Sequence, residues 1–344
     1  MTNLRMITRL PAYALASVVV LAGLGDIASA ENVERRIATL APRGSAWMKI
    51  LEKGAAEVEK ATEGRVKTKY YPNGVQGDER DVIRKMRLGQ LDGAAVTSVG
   101  MSLIVPSIRV LELPRMFESI EEMDYVRKKM WGHFRRKFKK KGFRLGDPGD
   151  VGFIYFYSKA PVKSLSNLRN TKVWLWSDDE IARAMFKELS IPGIPMGVPD
   201  VLSGLTTGRI KAAYNSPLGA VALQWSTKVK YMTSMPFSYS IGASILRNEV
   251  WEKSEKSDLK AAKKILRKQS SRMRRTVRRD NKTARKQMLR KGIKVVETPP
   301  DMIRDFDDAA KKVWQGLVGK VYSQKELDMV LKYRAEYRAE KKAM

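Results

Sequence analysis

The residue types that most often carry catalysis or bind metals are nearly absent from this chain. It has no cysteine and one histidine, His133, which lies in a basic segment. Serine or cysteine nucleophiles would depend on that one histidine as a base, and a transition-metal site would lack its usual ligands. Neither GxGxxG nor GxxxxGK[ST] occurs, so no phosphate-binding loop is indicated. We therefore expect a protein that is not an enzyme and that uses no metal or other cofactor.

The strongest remaining chemical signal is a pair of tryptophans in the stretch NTKVWLW, residues 170–176. Side chains two residues apart on a β-strand lie on the same face, so Trp174 and Trp176 would share one face. Such a pair could pack inside a core or form the wall of a ligand site. Asp178 and Asp179 follow the pair, and we interpret them as caps of the next helix rather than as an acid–base pair.

The first 30 residues have the pattern of a secretory signal peptide. Arg5 and Arg9 precede an apolar run at 14–24, and Ala28-Ser29-Ala30 is a small-x-small cleavage site. The sequence therefore predicts cleavage after residue 30 and a soluble mature chain of 314 residues (344 minus 30) in a bacterial periplasm or outside the cell. The alternative is an uncleaved N-terminal anchor.

The mature chain would be strongly basic. Its formal charge is +28, because removal of 1–30 takes two arginines and one aspartate from the total of +29. The lysines and arginines are spread along helical segments, and the densest run, 270–292, has no aromatic residue for base stacking. We therefore expect no nucleic-acid partner, and we interpret the charge as a solvated surface that could also contact an anionic membrane.

Alternating hydrophobic patterns predict an α/β fold. Strands are predicted at 35–41, 65–71 and 93–98, with amphipathic helices at 45–64 and 77–91 between them. Helical crossovers between strands imply parallel pairing.

The same pattern returns in the second half of the chain. The predicted elements are strands at 151–158, 171–176 and 212–216, helices at 179–189 and 200–208, a long helix at about 251–291, a late strand at 293–299 and a C-terminal helical segment at 301–340 with a break near Gly316 and Gly319. Two α/β halves without catalytic residues favour a binding protein, whose ligand would lie in a crevice at the carboxyl ends of the strands.

The segment YPNGVQGDERDVIRKMRLGQLDGAAVTS, residues 71–98, resembles the solute-binding proteins of tripartite ATP-independent periplasmic (TRAP) transporters, the DctP-like family. The family pattern is roughly YPxGxLGxxREhhxxhxxGxhDhxhxs, and the residues that match it are Pro72, Gly74, Gly77, Arg80, Gly89 and Asp92. Segments 110–117 (VLELPRMF), 162–174 (VKSLSNLRNTKVW) and 185–217 resemble further family segments in the same order.

The resemblance implies a two-lobed, periplasmic-binding-protein-like α/β fold with a hinge and a long helix that spans both lobes. It also implies delivery of a small-molecule ligand to the membrane subunits of a TRAP permease. We expect lobe I to comprise 31–151 plus 243–280 and lobe II to comprise 152–242 plus 281–344, with 93–98 and 212–216 in different sheets.

The resemblance also places the family's ligand-binding positions. The arginine that pairs with a ligand carboxylate in most relatives corresponds to Trp174, and a second family arginine corresponds to Ile154 or its neighbour Tyr155. An indole provides apolar area and one N–H donor but no charge. We therefore expect an apolar or amphipathic, even lipid-like, ligand in place of a small carboxylate.

The predicted ligand contacts are Trp174, Asn215, Tyr155, Ile154, Thr97, Ser98, Ser45, Trp47, Val198 and Tyr214. Trp176 is expected at the rim of the site or packed under the following helix. The alternative interpretation is an envelope interaction or scaffold protein of the same fold that has lost small-carboxylate binding.

Overall fold

The computed structural model of the protein describes residues 33–343, and the predicted signal peptide at 1–30 lies outside this range. The strands are β1 (Val33–Thr39), β2 (Val66–Tyr71), β3 (Gly93–Thr97), β4 (Phe143–Ser158), β5 (Val173–Trp176), β6 (Gly193–Met196), β7 (Ala212–Asn215), β8 (Tyr231–Thr233), β9 (Ser238–Arg247) and β10 (Lys294–Val296). The helices are α1 (Ala46–Ala61), α2 (Glu79–Arg87), α3 (Ser98–Ser102), α4 (Ile120–Lys140), α5 (Leu165–Arg169), α6 (Glu180–Glu188), α7 (Val201–Thr207), α8 (Pro217–Ala222), α9 (Asn248–Glu252), α10 (Lys256–Arg290), α11 (Pro300–Gly316) and α12 (Gln324–Lys342). Within residues 33–343, none of the helices combines the length and the apolar composition that crossing a bilayer requires.

Each half of the chain forms a parallel three-stranded unit with the same strand order. In the first, β1 lies between β2 and β3, and in the second, β5 lies between β6 and β7. Helices α1 and α2 are the crossovers of the first unit, and α6 and α7 those of the second. We call these the first lobe and the second lobe. The predicted α/β class and the two-lobed architecture are confirmed.

The long strands β4 and β9 join the lobes. Strand β9 pairs antiparallel with β3 and with residues 143–154 of β4, whereas residues 155–158 of β4 pair with β7. The resulting order is β2-β1-β3-β9-β4-β7-β5-β6. The expectation that 93–98 and 212–216 lie in different sheets is therefore wrong, because β3 and β7 belong to one ten-stranded sheet, in which they pair with different strands.

The ladder between β4 and β9 is irregular where it passes from one lobe to the other. Its register shifts between Leu145 and Pro148 and again between Asp150 and Gly152. Such bulges bend and twist a strand pair locally. Gly152 has a φ of +118°, which a residue with a Cβ adopts only under strain. The connecting strands are thus irregular and bent where they pass between the lobes.

Helix α10 spans both lobes, as predicted. It packs against α1 of the first lobe, against α8 of the second and against β4 between them. Its buried residues Met273 and Val277 form an apolar cluster with Ile50 of α1. The long helix therefore supports the connecting strands from behind.

The expected lobe boundaries stay a prediction, and the C-terminal segment packs on both lobes. Helix α11 contacts α6 of the second lobe, whereas α12, which we assigned to the second lobe, packs on α4. Between α12 and α4, the ring centroids of Tyr337 and Tyr125 are 5.6 Å apart, and the Arg338 Nε donates to the Glu122 carboxylate at 2.5 Å. The predicted helix break near Gly316 is confirmed, and it is where the chain crosses back towards α4.

Candidate ligand-binding site

A cavity of about 280 Å³ lies between the two lobes. The first lobe lines it with residues 39–42 at the end of β1 and with Thr97 at the end of β3, and the second lobe with Trp176 and Asn215 at the ends of β5 and β7. These are carboxyl ends of parallel strands, where open α/β sheets bind their ligands. The cavity therefore has the position that the sequence predicted for the site.

Aromatic side chains form one wall of this cavity: Trp174, Trp176, Tyr214 and Trp225. Trp174 and Trp176 share one face as predicted, with ring centroids 6.1 Å apart. Tyr214 stacks on Trp174 at 4.7 Å, and Trp225 meets Trp174 edge-on at 5.1 Å. Trp174 is 2% exposed, and its Nε1 donates to the Met196 carbonyl at 3.0 Å. Its N–H is satisfied by the neighbouring strand, and the small part of the indole that is not covered by protein lines the cavity.

Trp176 connects the lobes, whereas we expected it at the rim or under α6. Its Nε1 donates to the Asp78 carboxylate at 2.8 Å, and the Val198 backbone N–H donates to the same oxygen at 3.2 Å. Asp78 caps α2 of the first lobe, and burial raises the pKa of its carboxyl. Nearby, the Arg80 Nε donates to Asp178 at 2.6 Å. These contacts hold the second lobe against the N-terminal end of α2.

A buried charged cluster lies on the first-lobe side of the cavity. The Arg109 Nη2 donates to Asp179 at 2.6 Å and its Nη1 to the Ser98 hydroxyl at 3.1 Å. Glu112 lies 3.7 Å from Nη1 and accepts from Ser98. Burial alone would lower the pKa of the Arg109 guanidinium, but Asp179 and Glu112 raise it. Burial raises the pKa of Glu112.

Glu79, the first residue of α2, also lines the cavity and is buried. Its carboxylate accepts from the Thr97 backbone N–H at 2.7 Å, from the Thr97 hydroxyl at 2.8 Å and from the Gly100 N–H at 2.5 Å. Burial raises the pKa of Glu79 to about 8, although these donors favour the charged form. Over residues 33–343, no three His, Asp or Glu side chains are grouped to hold a metal ion.

The structure brings most of the predicted contacts to the cavity: Trp174, Asn215, Ile154, Thr97, Trp47, Val198 and Tyr214. Three others do not line it. Ser45 caps α1 by accepting from the Met48 N–H at 3.3 Å, Ser98 lies buried behind Arg109, and Tyr155 alternates with the cavity-lining Ile154 along β4. Direct contact of these residues with a ligand stays a prediction.

Sequence reasoning missed Arg109 as a residue of the site. Its signal is a single cation inside the apolar run LIVPSIRVLELP, residues 103–114. A charged residue in such a run is expected to be buried with a partner. The partner, Asp179, was correctly predicted as a helix cap, since its carboxylate accepts from the Ala182 N–H at 3.0 Å. The ion pair between the two could not be read from their positions in the sequence.

The family model for bacterial extracellular solute-binding protein, family 7, matches residues 37–323. Among curated proteins, a solute-binding protein of Chromohalobacter salexigens is 33% identical over 176 residues, which are 49% of this chain and 50% of that protein. The chain thus spans about half the length of this curated relative.

Solved structures share the fold over their whole length. A TRAP periplasmic solute-binding protein of Xanthobacter autotrophicus with bound β-D-galacturonate has a TM-score of 0.81 at 22% identity, covering 88% of this chain and 99% of that one. The sugar acid binding protein of Advenella mimigardefordensis in complex with galactonate has a TM-score of 0.83 at 18% identity, covering 89% and 99%. At these identities the likeness establishes the fold.

Proposed function

The chain belongs to bacterial extracellular solute-binding protein family 7, and we propose that it captures a small solute between its lobes and delivers it to a TRAP-type permease. As a member of this family it is a binding protein and not an enzyme, as the sequence predicted. The observation that carries the proposal is a cavity lined by the strand ends of both lobes. A solute that contacts both lobes favours their closed arrangement, which is the state to be recognised by the membrane subunits.

We propose that the solute is uncharged and has an apolar or amphipathic body. The aromatic wall supports this, because stacked indoles contribute apolar area and no charge. Trp174 stands where the resemblance places the family's carboxylate-binding arginine. Among the residues that line the cavity, the only cation is Arg109, and it is already paired with Asp179.

The named structural relatives hold galacturonate and galactonate, so a sugar acid is the competing ligand class. A carboxylate in this cavity would meet Asp179 and no unpaired cation among the residues that line the cavity. Leaving a buried carboxylate without a paired cation is costly. This charge balance favours the uncharged solute over the acid.

Thermal melting tests the proposed function directly. A solute that binds only the folded chain stabilises it by about 2.7 kcal/mol at a concentration of about 100 times Kd. We therefore expect neutral aromatic or amphipathic compounds to raise the melting temperature and matched carboxylic acids to leave it unchanged. A melting temperature raised only by the acids would overturn the ligand class, and one raised by no compound would favour the scaffold alternative, which the family match does not favour.

Asn215 provides a finer prediction. It lines the cavity, and its Oδ1 accepts from the Ser216 N–H at 2.8 Å, while in the described part of the chain its Nδ2 donates to no acceptor. We expect Asn215→Ala to weaken solute binding about fivefold, since a neutral hydrogen bond contributes about 1 kcal/mol. Calorimetric titration would measure it, with the exposed Asn170→Ala as control. If the affinity falls by less than about twofold, Asn215 only stabilises the turn after β7 and does not bind the solute.

We propose that the protein acts in the periplasm after removal of residues 1–30, with the TRAP permease subunits as its partners. The family is extracellular, and the n-region, apolar run and cleavage site described above support export. Mass spectrometry of the protein recovered from the periplasm should give an N-terminus at Glu31. A mature protein that retains Met1 would favour the uncleaved anchor.

We also propose that the exposed face of α10 contacts an anionic membrane surface. This basic stripe consists of exposed cations three or four residues apart: Lys260, Lys264, Lys268, Arg272, Arg275, Arg279, Lys282, Lys286 and Arg290. The helix is about 50 Å long, and within the described residues only Arg279 of the stripe has an acidic partner, Asp280. A straight row of cations without aromatic residues fits a flat layer of anionic headgroups better than stacked bases.

Co-sedimentation with vesicles tests the basic stripe. We expect binding to vesicles containing phosphatidylglycerol and not to pure phosphatidylcholine, and loss of that binding when four stripe lysines are changed to glutamine, namely Lys260, Lys264, Lys282 and Lys286. The matched control has the same charge change among exposed lysines of α12, namely Lys325, Lys332, Lys341 and Lys342. If the two variants lose vesicle binding equally, the binding depends on the net charge of the protein and not on the basic stripe, which would contradict the proposal.

A further inference from the structure

The ion pair between Arg109 and Asp179 is formed between the lobes, inside the cavity lining. Arg109 belongs to the segment after α3 of the first lobe, and Asp179 comes directly after β5 of the second. The two side chains are 6% and 10% exposed, and Nη2 lies 2.6 Å from the carboxylate. The lobes therefore contribute one charge each to a contact that water hardly reaches.

The Arg109 guanidinium has unused donors. Its Nε is buried and has no hydrogen-bond partner within the described chain, while Nη1 and Nη2 are held by Ser98 and Asp179. A guanidinium has five N–H donors in a planar fork suited to a carboxylate. Ser98 and Glu112 both lie next to Nη1, and Arg109 and Glu112 line the cavity.

We propose that Asp179 acts as an internal counter-ion for Arg109 and so excludes carboxylate ligands from the cavity. In a site that binds acids, the ligand carboxylate pairs with the arginine. Here the Asp179 carboxylate of the second lobe takes that place. The ligand that remains acceptable is uncharged. The inference rests on the proposed function, and it names the residue that sets the charge of the solute.

Asp179→Asn removes the counter-charge with little change of shape. The amide oxygen can still accept from the Ala182 N–H, and asparagine is a good helix N-cap, so α6 should keep its start. We expect the variant to bind carboxylates at least about tenfold more tightly than the wild type, because Arg109 keeps only Glu112, 3.7 Å from Nη1, and its Nη2 becomes free to pair with the ligand. Affinity for uncharged compounds should change by less than about twofold.

The probes are phenylacetate, D-galacturonate and D-glucuronate, each titrated beside its uncharged counterpart: phenylacetamide, D-galactose and D-glucose. Calorimetry and tryptophan fluorescence report binding, and thermal melts report folding. The matched control is Asp178→Asn, which removes the same charge one residue away, where the partner is Arg80 outside the cavity lining. The double variant Asp179→Asn with Arg109→Gln should lose whatever affinity for acids the single variant gains.

A folded Asp179→Asn protein that binds none of the three acids more tightly than the wild type would overturn the proposal. So would an equal gain in Asp178→Asn, or a gain that persists without Arg109. If Asp179→Asn lowers the melting temperature too far for titration, Asp179→Ser retains a capping oxygen and is judged by the same criteria. The comparison of acids with uncharged compounds does not require the native solute, so its failure is distinguishable from failure of the proposed function.

Discussion

Replacing Trp174 by leucine should weaken binding of the native solute by at least about 30-fold. Buried aromatic residues at the centre of a binding site contribute about 2 kcal/mol or more, which corresponds to that ratio. Trp174 lies at the centre of the aromatic wall, stacked on Tyr214 at 4.7 Å and in contact with Trp225 at 5.1 Å. Leucine keeps an apolar side chain but removes the indole that lines the cavity and holds Tyr214 and Trp176 in the aromatic wall. Fluorescence or calorimetric titration measures the loss.

Trp131→Leu is the matched control for this experiment. Trp131 is also buried, and its Nε1 also donates to a backbone carbonyl, that of Gly146, at 2.9 Å, but it does not line the cavity. Both variants should lose stability by similar amounts, since both remove a buried indole. Only Trp174→Leu should lose affinity. If the two variants lose affinity equally, or if neither loses affinity, Trp174 packs the protein core and does not contribute to solute binding.

Asp150→Ala should cost about 3–5 kcal/mol of the free energy of unfolding, the range seen when one partner of a buried ion pair is removed. The Asp150 side chain is fully buried in β4 and accepts from the Arg127 Nη1 and from the Arg278 Nε, both at 2.6 Å. Its loss would leave Arg127, 3% exposed, without that partner. The ion pairs tie α4 and α10 to the irregular part of the connecting strand.

Urea unfolding of Asp150→Ala and of Asp147→Ala would measure this effect. Asp147 lies in the same strand, but its partner Arg135 is half exposed, and such pairs contribute about 0–1 kcal/mol. If the two variants unfold at the same urea concentration, the buried network does not hold the connecting strand.

The lobes could be predicted from the sequence because their signals are local. Each parallel unit has short strands separated by amphipathic helices, and both units follow the predicted order of elements. The length of β4 could not be predicted in this way. Its first half contains Gly146, Pro148 and Gly149, which are typical of turns, so only 151–158 was predicted as strand. Pairing with β9, with bulges at these residues, overrides the local preference.

The aromatic wall of the site could also be predicted from the sequence, whereas the polar contacts between the lobes could not. The spacing of Trp174 and Trp176 predicted a shared face, which depends only on strand geometry. The bond from Trp176 to Asp78 and the pair of Arg109 with Asp179 join residues that are far apart in the chain. Such contacts are set by how the lobes meet, and no local pattern encodes that.

Native mass spectrometry of the protein purified from the periplasm of its own host tests the central claim most directly. Spraying from a non-denaturing buffer preserves a bound solute, and fragmentation of the released molecule gives its composition. The account predicts one small molecule per chain, uncharged and mainly aromatic or aliphatic, which is lost in Trp174→Leu and retained in Trp131→Leu. A sugar acid or another carboxylate held by the wild-type chain would contradict it.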